Sequence, residues 1–399
     1  MDQILKLLND FASNELFNLV LGGILMYIFQ ILYEKAKKYS KRQFLKNELK
    51  KLKDNDIEKK VVDIANGDPD FSNENIFVRT VDIFGKTKSL YVSLPNEYKN
   101  EIIKKEETYG FSHTQKTIFN NDTSFDGSNS FDDLCKITKI DNLTSLIEKH
   151  RKIVGKQFLN NENGILFNGS KYGIFNIELK RFGEEEKPGV VIELFETDYF
   201  THRVFRSIYH ELKENNHKII NVDSHNYLQY KPFFTSFGIN TVLITDGIKN
   251  DEIVLTKRSK SVNTDKELFH ISMNEGFSQT DKDMFGKLDL ELCFKRGLLE
   301  ELGITENIYR NASYAAFYDF FLEMKNFEIG LTSVLRLDMN FEKDIATLIG
   351  RDKTLETSKF ETLELNKKQI KNFLDKNEMI PHGKYTLERV LLREKISLQ

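Results

Sequence analysis

From Leu16 to Tyr33 the chain carries no charged side chain, and Asn18 and Gln30 are the strongly polar residues within the run. A stretch of that kind admits few structures. Wound as a helix it is about 27 Å long, close to the thickness of a bilayer core. A core helix of this length normally keeps a polar face. A signal peptide begins with a basic segment and ends at small residues, whereas here the preceding residues are net acidic and the run ends in Tyr33-Glu-Lys-Ala-Lys-Lys. The sequence therefore predicts a transmembrane helix over residues 16–33, behind a short extracytoplasmic N-terminus, residues 1–15. Lys6 is the basic residue before the run, and Lys35, Lys37, Lys38, Lys41, Arg42, Lys46, Lys50, Lys51 and Lys53 follow it. The positive-inside rule then places the rest of the chain in the cytoplasm. Asn18, Gln30 and the pair Gly22-Gly23 either join helices within the membrane or lie near its two interfaces.

Residues 34–58 continue as a basic juxtamembrane helix in which Leu45, Leu49 and Leu52 recur at coiled-coil spacing. This segment fits two readings, a short oligomerising neck and a basic helix lying on anionic headgroups.

A chain of 399 residues is long enough for two or three folding units, each with its own core. Cys135 and Cys293 are far apart, with no His or Cys at ligand spacing, which excludes a disulfide framework and a structural zinc site. The net charge of −3 excludes a general polyanion binder, so a nucleotide partner needs a local basic patch. No basic run interleaved with aromatics appears after the N-terminal segment, and Glu184-Glu-Glu186 is acidic, so no direct DNA or RNA recognition is expected.

Residues 59–235 read as a mixed α/β middle domain. Strand-like runs at Ile76–Ile83 and Ser89–Leu94 are followed by a loop rich in Asn, Asp, Ser and Gly from Phe119 to Phe131. Strands resume at Gly164–Leu179 and Gly189–Phe195. Asp198 then caps a helix reaching Leu212, with Val204, Ile208 and Leu212 on one side and His202, Arg206 and His210 at i, i+4 and i+8 on the other. That polar row either holds phosphates across a cleft or is a solvated face. Its histidines have no carboxylate at ligand spacing, so they form no metal site.

Residues 236–399 give strands at Ile239–Thr245, Glu252–Lys257 and Leu268–Met273, then Asn274-Glu-Gly-Phe277 and a loop from Ser278 to Lys282. A helix follows whose Leu288, Leu292, Leu299 and Leu302 make an apolar stripe, with Gly303 as its stop. Strand-like runs at Ala315–Leu322 and Ile329–Leu337, an apolar stretch at Phe360–Leu365 and a C-terminal helix from about Lys384 complete the pattern. Arg296 stands one turn before Glu300, the spacing of an ion pair. Glu300 and Glu301 either share a divalent cation or form a solvated face.

The segment Arg296-Gly-Leu-Leu-Glu-Glu-Leu-Gly-Ile304, behind a glycine-containing loop, resembles the Nudix box, in which a loop–helix–loop holds Mg²⁺ against a nucleotide diphosphate. Arg296, Leu298, Glu300, Glu301, Gly303 and Ile304 match that pattern. The resemblance implies an α+β protein whose residues 236–399 form a Nudix-like α/β/α sandwich. It implies Mg²⁺ as cofactor, Glu300 and Glu301 as its ligands and, in a hydrolase, as catalytic residues, and Arg296 as their orienting partner. The chain at Glu275 and Gly276 would close the site. Lys257 and Arg258, on the strand before the box, would meet the phosphates, joined by His202 and Arg206 where that row faces the cleft. Glu356, Glu361 and Glu364 are the later acidic residues from which a further ligand or base would come. The chain departs from the family in two places. Gly297 stands where a glutamate is expected after the arginine, and the upstream glutamate falls near Leu288 and Asp289, with an insertion after Gly276. The fold follows from this resemblance; turnover does not.

The combination of span, basic neck, middle domain and eroded box resembles the membrane-anchored Nudix effectors of bacterial cyclic-oligonucleotide antiphage systems (CBASS). That resemblance implies a single-pass protein of the bacterial inner membrane, N-terminus outside. A cyclic nucleotide second messenger would bind its Nudix-like domain, drive homo-oligomerisation and disrupt the membrane without being hydrolysed. The alternatives are a membrane-tethered, Mg²⁺-dependent Nudix hydrolase of a nucleoside diphosphate derivative, and an interaction scaffold without a nucleotide.

Overall fold

The first element of the computed structural model is a single helix, α1, from Glu15 to Leu52. The structure describes residues 15–52, 60–65, 68, 71, 77–81, 89–108, 131–160, 166–184, 186–260 and 265–396. The expected extracytoplasmic N-terminus, apart from Glu15, and most of the loop from Phe119 to Phe131 lie outside them. Along α1 the side chains of Ile24, Leu25, Met26, Phe29 and Leu32 are exposed, whereas Leu45 and Leu49 are buried with Leu392 near the C-terminus and flanked by Phe44. Leu45 and Leu49 are thus used within the chain, where burying each contributes about 1.5–3 kcal/mol.

The expected transmembrane helix is not supported. Among the described residues no helix is long and apolar enough to cross a membrane. The uncharged part of α1 falls short of the roughly 20 apolar residues a bilayer core requires, is interrupted by Asn18, Gln30 and two glycines, and continues without a break into the lysine-rich half. The single-pass inner-membrane localisation and the N-out orientation rested on that span and fall with it.

After α1 come β1 (Val61–Asp63), β2 (Phe77–Val81) and α2 (Asn96–Thr108). Helices α3 (Phe131–Thr138) and α4 (Leu143–Asn160) follow, then β3 (Ser170–Phe182), β4 (Lys187–Asp198) and α5 (Tyr199–Glu214). β3 and β4 pair antiparallel and β2 joins β4 in parallel, making a three-stranded sheet. The run Ser89–Leu94 makes one bridge, Ser89 to Glu196, rather than a strand, yet Leu90, Tyr91, Val92 and Leu94 are buried. Helix α5 is capped as its sequence predicts: the Asp198 carboxylate accepts from the Thr201 N–H, and Val204, Ile208 and Leu212 are buried.

The larger sheet contains β5 (Phe237–Thr245), β6 (Glu252–Arg258), β7 (Phe269–Ile271) and β8 (Met273–Gly276). Helices α6 (Leu290–Gly297) and α7 (Glu306–Arg310) lead to β9 (Tyr314–Glu323) and β10 (Glu328–Leu337). Helix α8 (Lys353–Glu356), β11 (Thr357–Glu364), α9 (Lys367–Lys376) and α10 (Pro381–Arg393) end the fold. Strand order is β1-β9-β10-β5-β6-β11, with β8 paired to the first half of β5 and β7 to β6. β5 and β10 run parallel, and the other pairs are antiparallel.

Apolar side chains of β5 alternate between two cores, which is what a central strand covered on both faces requires. Val242 and Ile244 pack with Leu387, Val390 and Leu391 of α10, while Ile239 and Leu243 share a core with Phe294 and Leu298 of the α6 region. That second core continues without interruption through Phe205 and Ile208 of α5 to Ile147 and Val154 of α4.

Candidate functional site

Helix α6 begins at Asp289, whose carboxylate caps it by accepting from the Glu291 N–H. It ends in a wider π-type turn, Leu298–Leu302, closed by Gly303 at φ 78°, the left-handed conformation that glycine adopts without strain. Leu290, Cys293, Phe294, Leu298 and Leu302 are its buried residues. Leu299, expected in the apolar stripe, is 48% exposed, because at about 100° per residue it lies opposite the buried face set by Leu290, Phe294 and Gly297.

Arg296 is the hub of the site. Its Nε and one terminal nitrogen donate to both carboxylate oxygens of buried Asp281, at 2.9 Å each. The same terminal nitrogen donates to the Gly276 carbonyl at 2.8 Å, and the other to Glu275 at 2.8 Å. Glu300, the expected one-turn partner, is more distant at 3.6 Å. Burial works against the guanidinium charge, but the hydrogen bonds it donates to Asp281 and the charge of Glu275 outweigh it, and the net direction is up. Glu300 instead accepts from Arg351 at 2.7 Å.

Gly297 has a packing reason. A Cβ there would lie 2.6 Å from the Glu275 Cβ and 2.8 Å from both the Glu275 Cγ and the Met273 sulfur. The space beside residue 297 is filled from β8, so the side chain absent from the helix is replaced by a carboxylate from the neighbouring strand, already bound to Arg296. Both oxygens of Glu301 accept from the Asn274 N–H at 3.2 Å. Burial, and then the charges of Glu356 and Glu275, push the Glu301 carboxyl well above its ordinary value. Glu356 and Glu275 are raised as well, by burial first.

These residues line one lobe of a cleft, about 390 Å³, together with Lys171, Tyr199, Ser278, Arg351 and Asp352. A second lobe of about 280 Å³ is lined by His202, Arg206, Asn240, Arg258, Phe321, Glu323, Glu328 and His382. Lys171, Tyr199, Asn274, Gly276 and Glu356 border both lobes, so the cleft straddles β8. The first lobe is the richer in carboxylates, and lysine and arginine side chains border both.

The structure brings His202, Arg206, Arg258, Glu275, Gly276, Arg296, Glu300, Glu301 and Glu356 to this cleft. His202 is held by Thr235 at 3.1 Å and by Glu328 at 3.2 Å, and Arg206 approaches Glu328 at 3.8 Å. Burial would raise the Glu328 carboxyl, but the hydrogen bond with His202 and the charges of Arg206 and Lys171 hold it well below the usual range. Four expected residues lie elsewhere. Lys257 projects from the opposite side of β6 to Arg258 and sits over the Phe269 ring. Glu361 pairs with Lys359, Glu364 accepts from Asn366 and Gln369, and His210 packs beside Tyr209. Lys171, Tyr199, Asn240, Asp281, Arg351 and His382 were missed. Asp281 carried a signal, an acidic residue in the loop feeding the arginine-bearing helix; the others come from distant segments.

For a divalent cation the donor chemistry is right, since carboxylate oxygens suit a hard ion. Among the described residues, however, no group of three or more His, Cys, Asp or Glu side chains is placed to enclose a metal. Glu275 and Glu300 are taken by arginines, which leaves Glu301 and Glu356 as the pair whose crowding a cation would relieve.

No family model matches the chain, and no curated protein matches it. Solved structures similar to it include Nudix proteins. The Nudix domain of Shewanella oneidensis NrtR, complexed with ADP-ribose, is 13% identical over 40% of this chain and 86% of its own, with a TM-score of 0.28. A Caenorhabditis elegans Ap4A hydrolase is 15% identical over 40% and 94%, with a TM-score of 0.24. The MutT Nudix hydrolase of Burkholderia pseudomallei is 15% identical over 39% and 97%, again at 0.24. The similarity is to a Nudix-like fold over two-fifths of the chain, at scores too low to carry function, which rests on the site itself.

Proposed function

We propose that the cleft binds a nucleotide derivative through its phosphates and retains it intact, and that the ligand is a cyclic oligonucleotide signal whose binding drives self-association. The observation that carries this reading is the engagement of the carboxylates. Glu275 occupies the space beside Gly297 and is bound to Arg296, and Glu300 is bound to Arg351. A hydrolytic site would hold those carboxylates ready for metal. Here the cations Lys171, Arg206 and Arg258 border the second lobe and would meet phosphate oxygens with charge-assisted hydrogen bonds. Glu301 and Glu356 would hold Mg²⁺, which needs only one or two carboxylates beside water; the ion would supply positive charge opposite the phosphates.

A second reading, an Mg²⁺-dependent hydrolase of a nucleoside diphosphate derivative, is favoured by the raised Glu301 and Glu356 carboxyls, since perturbed acids cluster where chemistry is done. Calorimetric titration of the full chain with cyclic di- and trinucleotides and with linear diphosphates, with and without Mg²⁺, followed by chromatography, separates the two. A cyclic nucleotide bound and recovered intact, with growth of the particle in solution, supports the receptor. Conversion of a linear diphosphate, with no cyclic nucleotide bound, would establish the hydrolase instead.

A further inference from the structure

Resting on the phosphate-binding reading above, we propose that the lobe on the α10 side of β8 is a base-reading subsite that selects adenine over the 6-oxo purines hypoxanthine and guanine. Two polar atoms in it lack partners. Asn240, on β5, is 3% exposed and lines the lobe, and its Oδ1 has no hydrogen-bond partner among the described residues. His382, at the start of α10, also lines the lobe, and its Nδ1 is likewise buried and unpartnered. Buried polar atoms are nearly always satisfied in folded proteins. Two exceptions in one cavity point to a ligand that completes them.

The hydrogen-bond polarity of His382 is set by a relay. The Ile271 N–H donates to His270 Nδ1 at 2.8 Å, so that nitrogen is an acceptor and the neutral ring carries its proton on Nε2. His270 Nε2 lies 2.9 Å from His382 Nε2 and must donate to it. His382 therefore accepts at Nε2 and carries its own proton on Nδ1. Burial pushes His270 well below its ordinary value and His382 down to about 4, so both rings are neutral near pH 7 and the relay keeps this polarity.

The lobe thus offers an acceptor, Asn240 Oδ1, and a donor, His382 Nδ1–H. The complementary edge has an exocyclic amine next to a bare ring nitrogen, which among the purines is the six-position edge of adenine, its N6 amine a donor and N7 an acceptor; cytosine carries the same pair. Hypoxanthine and guanine place a carbonyl where the amine should be. Phe321 supplies an aromatic wall, its ring tilted 20° from that of His382 at 6.3 Å. Gly330 makes room for that ring, since a Cβ there would lie 2.3 Å from it. At about 280 Å³ the lobe is at the small end for a ligand pocket and suits one nucleoside. Lys171, Arg206 and Arg258 line the same lobe and would meet its phosphates.

The test is calorimetry on the full chain with inorganic pyrophosphate, ADP against IDP, and cyclic di-AMP against cyclic di-GMP. The adenine member of each pair is expected to bind about tenfold tighter or better, and Asn240→Ala is expected to bring the ADP to IDP ratio within about twofold. ADP and IDP bound equally alongside measurable pyrophosphate binding would overturn the base subsite and leave phosphate recognition standing. Absence of binding by pyrophosphate and by every nucleotide would overturn both. If Asn240→Ala does not fold, the ratio measured on the unaltered chain decides.

Discussion

Alanine in place of Gly297 should destabilise this protein, against the ordinary behaviour of a helix. Exchanging glycine for alanine within a helix normally stabilises by about 1 kcal/mol. Here the new Cβ would stand 2.6 Å from the Glu275 Cβ and 2.8 Å from the Met273 sulfur. The methionine can yield because its thioether is flexible. The Glu275 Cβ cannot, because it is fixed to a strand paired residue for residue with β5. Overpacking of this kind costs about 1–3 kcal/mol, so Gly297→Ala should come out about 0–2 kcal/mol less stable. Gly297→Glu restores the residue the box lacks, yet it also sets a second carboxylate against half-buried Glu275, so the loss should reach about 3 kcal/mol or more. Combining it with Glu275→Gly removes the obstructing Cβ and should recover part of that loss, a coupling of about 0.5–3 kcal/mol in a double-mutant cycle. Urea denaturation at fixed pH measures each value. A Gly297→Ala protein about 1 kcal/mol more stable than the parent would refute the packing argument, and with it the claim that β8 fills the missing side chain's place.

Two further outcomes follow from the same site. Arg296→Ala leaves buried Asp281 and half-buried Glu275 without their counter-charge and should cost about 3–5 kcal/mol by urea denaturation; Arg296→Lys should recover little, since an ammonium cannot reproduce the fork on Asp281. Glu301→Gln should be more stable than the parent at pH 8, and the two should converge below about pH 4.5. The folded carboxyl is raised above its ordinary value of 4.5, so the parent loses stability as pH rises from there through the folded value, and glutamine does not titrate. Melting curves between pH 4 and 8 without divalent ions check this, and a parent that stabilises relative to Glu301→Gln over that range contradicts it.

Local patterns in the sequence determined a good deal of this protein. Most strands of the larger sheet, the Asp198 cap, and the helix carrying Arg296 and stopping at Gly303 are legible because each follows from periodicity, capping or backbone conformation within a few residues; β1 and most of β8 are not. The arginine and the paired glutamates were legible too. The same local reading misjudged α1. An uncharged run and a leucine repeat describe what a helix offers, whereas whether Leu45 and Leu49 meet a membrane, a second chain or Leu392 is settled by what packs on them. Only the tertiary structure decided the site. Gly297 reads in sequence as a lost ligand, but Glu275 arrives from a strand more than twenty positions earlier to take its place. Lys171 and His382, over two hundred residues apart, border the same cleft because β3 and α10 converge beside β8. Contacts of that range leave no periodic trace in a single chain, since nothing local constrains the residues that make them.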